Sequence, residues 1–191
     1  MNQNRIIAVI PARMNSSRYP GKPLLSVKGL PMIEHVRRRV IMCKGLADVV
    51  VATCDRSIFD VVKSNGGKVI MTSKKHKMAS DRVSEVVKKI DCTHVINVQG
   101  DELLVIPSEL QKLIRRINID PQNNYWNAIA PVNNIKDLKD EDIVKCVTSS
   151  SGNIIYCSRS LHESSFYKYT KSVYVILGIL AYTKKGILEF N

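Results

Sequence analysis

Residues 6–25 read IIAVIPARMNSSRYPGKPLL, and this stretch decides the fold. Residues 6–10 are an unbroken apolar run closed by Pro11, the pattern of a strand buried on both faces. Arg13, Arg18 and Lys22 follow within ten positions, separated by the small residues Asn15, Ser16, Ser17 and Gly21. Small residues let backbone N–H groups approach a ligand closely, and amides ringed by cations form a concavity for phosphate oxygens. Pro23 follows Lys22, so the loop lacks GxxxxGKS/T, and it also lacks GxGxxG. A triphosphate loop of another kind is one reading; a solvated basic loop is the plainer one.

Outward from this loop, Met32, Ile33, Val36, Val40 and Ile41 recur at helical spacing behind Pro31. Arg37, Arg38 and Arg39 lie between them and are expected to form a solvated face. DVVVAT, Asp48–Thr53, reads as a second buried strand. Asp55 is expected to cap the next helix, whose apolar stripe is Ile58, Val61 and Val62. Asn65-Gly66-Gly67 ends that helix, and Lys68–Met71 reads as a third strand. Strand and helix alternating at this spacing predict a layered α/β/α architecture with a mostly parallel sheet, in one domain spanning 1–191.

Residues 72–82, TSKKHKMASDR, precede a helix built on Val83, Val86, Val87 and Ile90. They read either as a nucleotide-base loop with Ser80, Asp81 and Arg82 near the ligand, or as a helix start capped by Ser80. HVINVQGD follows, with His94–Val98 a strand and Gln99, Gly100 and Asp101 at its C-terminal end. Ligands of open α/β sheets bind outside the carboxyl ends of strands, so this end and the basic loop are expected to share a crevice. The loop would supply cations for phosphate, and Asp101, supported by Glu102, a hard oxygen for magnesium. Pro107, Ser108 and Gln111 suggest a capping box opening a helix to Ile117. Further on, residues 125–132 read as a strand, 133–142 as a polar excursion, and 145–157 as a hairpin around Ser150-Ser151-Gly152-Asn153. A last strand over 173–182 leads into a helix from Lys184.

The 191 residues carry 29 Lys plus Arg against 17 Asp plus Glu, a formal charge of +12 that suits polyanionic partners. The cations are spread along the chain and no RNA-stacking motif stands out, so nucleic acid is not the expected partner. Five scattered cysteines form no CxxC pair, which argues against structural zinc and for reduced thiols in a cytoplasmic protein. His35, His76, His94 and His162 have no ligand spacing. The longest apolar run is shorter than the roughly 20 residues a membrane span needs.

With both stretches in view, the chain resembles the 3-deoxy-manno-octulosonate (Kdo) cytidylyltransferase family, the CMP-Kdo synthetases. PARMNSSRYPGKPL, GLPMIEHV, VVVATCDR, GGKVIMTS, ASDRVSEVV and VINVQGDE stand in the family's order and spacing, with weaker echoes at IVKCV, IIYCSRS and LGILAY. The resemblance implies the nucleotide-diphospho-sugar transferase fold, and CMP transfer from CTP to a 3-deoxy sugar acid for lipopolysaccharide or a related surface glycan. It implies that Arg13, Ser16, Arg18 and Lys22 bind the CTP phosphates, with Ser80 and Arg82 near the nucleotide. Gln99 and Arg159 would face the sugar acid, and Asp101 would hold magnesium. Arg13, Lys22 and Asp101 are the expected catalytic groups, and full-length members are expected to be homodimers. The chain departs from the pattern at Leu103, Ile176 and Leu161-His162, all on the sugar side. It also ends where the family continues, short of a second metal-binding aspartate and part of the dimer contact. A non-catalytic remnant that binds nucleotide or a partner, and a basic nucleic-acid-binding protein, are the competing expectations.

Overall fold

The computed structural model describes residues 4–15, 19–132, 134–160 and 173–190. In chain order the elements are β1 (Ile6–Ala12), a short hairpin of β2 (Ser26–Val27) and β3 (Leu30–Pro31), α1 (Met32–Ile41) and β4 (Asp48–Thr53). Next come α2 (Arg56–Ser64), β5 (Lys68–Met71), α3 (Ala79–Lys89), β6 (His94–Val98) and α4 (Pro107–Ile119). β7 (Tyr125–Pro131), α5 (Ile135–Lys139), β8 (Lys145–Thr148), β9 (Ile154–Ser158), β10 (Val173–Thr183) and α6 (Lys184–Glu189) complete the chain. Contacts divide it into two compact units, Met1–Trp126 with Ile179–Asn191, and Asn127–Gly178. β7 and β10 each run from one unit into the other.

In the first unit the strand order is β5-β4-β1-β6-β10. The first four strands are parallel, and β10 closes the edge antiparallel to β6 through Ile179–Thr183. β1 lies at the centre because it is apolar throughout, and all seven of its residues are buried. The connections through α1 and α2 step outward from β1 to β5, and the one through α3 returns to β6. Right-handed crossovers therefore put α3 on the face opposite α1 and α2. On the α3 face, Ile7, Val9, Val50, Ala52, Val95 and Tyr182 pack with Val83, Val86, Val87 and Ile187. Register pairs Ala12 with Thr53 and Val9 with Asn97, so β1, β4 and β6 end side by side. The second unit pairs β8 antiparallel with both β9 and the start of β10.

Several local expectations are corrected. The arginine triplet is not wholly solvated: Arg37 is buried and forks onto the fully buried Glu34, with both N···O distances 2.7 Å. The same guanidinium donates to the Asn65 carbonyl at 3.0 Å, tying α1 to the end of α2. A buried carboxylate needs such a partner, and helical spacing places Glu34 and Arg37 together. Asp55 stands at the N-cap of α2 but makes no side-chain cap bond. At α3 the capping acceptor is Asp81, not Ser80: its Oδ2 accepts from the Met78 and Lys77 amides at 3.0 and 3.2 Å. Ser108 lies inside α4, which begins at Pro107, a residue that needs no amide partner there. The polar excursion over 133–142 contains α5, capped by the Asn134 side chain.

Candidate active site

The exits of β1 and β6 meet. An added Cβ at Gly100 would come within 2.9 Å of the Pro11 carbonyl oxygen, so only glycine lets the two backbones lie this close. Lys22 Nζ, from the β1 loop, donates to Asp101 Oδ2 at 2.9 Å. Both side chains are well exposed, so the pair is worth little stability and exchanges readily for other partners. The structure thus brings together two sequence-predicted groups separated by 79 positions.

Beside this pair a cleft of about 170 Å³ is lined by Pro11, Arg13, His76, Lys77, Arg82 and Gln99, among others. Arg82 is only 3% exposed. Among the described residues its guanidinium partners are the Thr72 hydroxyl, the Ser73 carbonyl at 3.5 Å and the Cys54 sulfur at 3.5 Å, all neutral groups. A buried cation without a carboxylate carries an electrostatic cost that an anion in the cleft would offset. Arg13 is exposed at the mouth. Ser80 lies in the first turn of α3. Ser16 and Arg18 lie outside the described residues, as does the Leu161-His162 segment.

Two carboxylates that sequence reasoning did not place in the site shape its walls. Asp55 Oδ2 accepts the Met14 amide at 2.8 Å, below the β1 loop. Glu85 Oε2 accepts from the Ser73 amide at 2.8 Å and meets His76 Nε2 at 2.7 Å, while Oε1 takes Lys89 Nζ at 2.6 Å. Burial pushes the Glu85 carboxyl up, but bonds from Lys89, Ser73 and His76 outweigh it and bring the pKa to about 2. Asp81 and Glu85, one turn apart on α3, together hold the 73–78 loop that walls the cleft. The signal was present as acidic residues at i and i+4 on a helix following a basic loop, but spacing does not show which amides they reach.

Arg159 belongs to the second unit. Its Nη1 donates to the Glu141 and Asp142 carbonyls at 2.8 and 3.2 Å. Lys145, fully buried, donates to the carbonyls of Ile143 at 3.0 Å, Asp140 and Arg159, fixing the end of β9. No cluster of three or more His, Cys, Asp or Glu able to hold a metal occurs among the described residues, so Asp101, the expected magnesium ligand, does not belong to a preformed cage of such groups. One carboxylate suits an ion that keeps its other positions for phosphate oxygens and water, which magnesium commonly does.

Parallel strands ending on a basic cleft, with the Lys22–Asp101 pair at the same strand ends, suit a nucleotide-handling α/β domain. Residues 7–188 match the family described as Cytidylyltransferase, and the chain belongs to it, on its 3-deoxy-manno-octulosonate branch. The 3-deoxy-manno-octulosonate cytidylyltransferase of Protochlamydia amoebophila is 33% identical over 98% of this chain and 75% of its own length. The 8-amino-3,8-dideoxy-manno-octulosonate cytidylyltransferase of Shewanella sp. W3-18-1 is 38% identical over 97% and 77%. A solved CMP:2-keto-3-deoxy-manno-octonic acid synthetase in complex with CTP superposes with a TM-score of 0.91. It is 34% identical and is matched over 97% of this chain and 77% of that one. The chain therefore spans about three quarters of the relatives' length and has the nucleotidyltransferase fold expected of it. It is a nucleotidyltransferase. No helix among the described residues is long and apolar enough to cross a membrane.

Proposed function

We propose that the chain transfers CMP from CTP to the anomeric hydroxyl of a 3-deoxy sugar acid, Kdo or its 8-amino relative, releasing pyrophosphate. The observation that carries the site assignment is the cleft in which buried Arg82, whose partners among the described residues are neutral, lies with Arg13 beside the Lys22–Asp101 pair. The sugar hydroxyl oxygen bonds to the α-phosphorus, its proton passing to solvent, as the bond to the bridging oxygen of the β-phosphate breaks. The departing electron pair stays on pyrophosphate. Arg13 and Lys22 neutralise phosphate oxygens in this reading, and the described loop amides orient them, so positioning and charge supply most of the rate. Ser16 and Arg18 are assigned to the same phosphates, Ser80 and Arg82 to the nucleotide, and Gln99 and Arg159 to the sugar acid. Arg159 suits a carboxylate because its planar fork gives two parallel bonds. Asp101 would hold magnesium, and Lys22, which now bonds it, would then be available to phosphate. Magnesium, when bound, would withdraw charge from the phosphate oxygens.

The test is pyrophosphate release with each of the four nucleoside triphosphates, with and without Kdo or 8-amino-Kdo. Release that requires CTP and one of the two sugars supports the reading. Release without sugar, or equal release from ATP, rejects it. A chain that binds CTP and releases nothing with either sugar would be a non-catalytic member.

A further inference from the structure

We infer that Asp55 is a positioning residue that anchors the phosphate loop from the neighbouring strand; this rests on the CTP-binding reading above. β1 and β4 are parallel neighbours in register at Ala12 and Thr53, so the second residue beyond each strand, Met14 and Asp55, comes face to face. Asp55 has the extended backbone of an N-cap, φ −108° and ψ 123°, and aspartate there ordinarily accepts an amide of its own helix. It makes no such bond. Its Oδ2 instead accepts the Met14 amide at 2.8 Å, while Thr53 Oγ1 accepts the Asp55 amide at 3.1 Å and fixes the residue's backbone. Helix capping is given up for a bond to the loop.

Met14 is held on its other side too, because its carbonyl accepts the Gly21 amide at 2.9 Å. Gly21 has φ +78°, a conformation glycine takes without strain. Met14 thereby closes the base of the loop between Arg13 on one side and Lys22 on the other. Asp55 connects that closure to the sheet. A carboxylate this near a phosphate loop opposes anion binding through its charge, so its useful contribution is the acceptor geometry.

The charge and the acceptor separate by substitution. Asp55→Asn keeps an oxygen for the Met14 amide and removes the charge; Asp55→Ala removes both. CTP affinity by calorimetry and steady-state pyrophosphate release are read on both variants, with wild type and Lys22→Ala alongside. Asp55→Ala is expected to weaken CTP at least tenfold and raise its KM, with kcat within about threefold of wild type. Asp55→Asn is expected to bind CTP within about twofold of wild type or more tightly. Alanine at wild-type affinity, or asparagine as weak as alanine, overturns the inference. If Asp55→Ala does not fold, amide exchange in the wild type decides: a protected Met14 N–H supports the anchor, and exchange at the solvent rate overturns it. Failure of wild type to bind CTP defeats the underlying reading, an outcome separate from any difference among the variants.

Discussion

Lys22 is shared between a carboxylate in the structure described here and a phosphate in the proposed complex. Removing it should leave the fold intact, because its bridge to Asp101 is exposed and weak. Lys22→Ala and Arg13→Ala should each weaken CTP binding by about 1.5–3 kcal/mol, the usual loss for a charge-assisted bond. Calorimetry checks this, and wild-type affinity in both variants would remove the loop from the site. That Lys22 and Asp101 meet was readable, because both follow buried strands whose carboxyl ends an open α/β sheet sets side by side. Asp55 was not, because an aspartate before a helix has an ordinary use as a cap, and only strand register shows the Met14 amide competing for it. Lys145 was also hidden: nothing in KCVT marks a lysine whose ammonium is spent on backbone carbonyls.

At the scale of elements, α3 supports the 73–78 loop through Glu85, and this makes a pH prediction. Its pKa falls from 4.5 to about 2 on folding, so the folded state favours the ionised carboxylate. The stabilisation is fully present above pH 4.5 and is lost as pH falls through about 2. At 1.36 kcal/mol per unit it is at most about 3 kcal/mol, less what solvent screens at half-exposed Lys89. Urea denaturation from pH 6 to pH 2.5 should show a steeper loss of stability in wild type than in Glu85→Gln; parallel curves would contradict it. The α1–α2 junction makes a second prediction. Arg37→Met removes both 2.7 Å bonds to buried Glu34 and leaves it the longer 3.4 Å contact from the exposed Arg38, which should cost about 3 kcal/mol, a Tm drop of roughly 10 °C. A thermal scan checks it. Elements with strong periodicity, β1, α1, β4, α3 and β6, were legible from the pattern of apolar residues. The charge network between helices was not, since helical spacing alone does not say which arginine of three turns inward.

Over the whole chain, the parallel order of β5, β4, β1 and β6 aligns loops distant in sequence along one sheet edge. Alternating strands and helices made that order legible; the antiparallel β10 and the division into two units depend on long-range contacts that no local pattern encodes. The cytidylyl reading predicts selectivity as well. A thermal-shift series should show CTP with magnesium raising Tm more than ATP or GTP, and the reverse order would contradict a pyrimidine site. The most direct test of the account is phosphorus NMR of this chain with CTP, magnesium and a 3-deoxy sugar acid, Kdo or 8-amino-Kdo. The account predicts a CMP–sugar phosphodiester resonance growing in step with pyrophosphate, one for one. CTP left unchanged with both sugars, or hydrolysed to CMP with no phosphodiester, would contradict it.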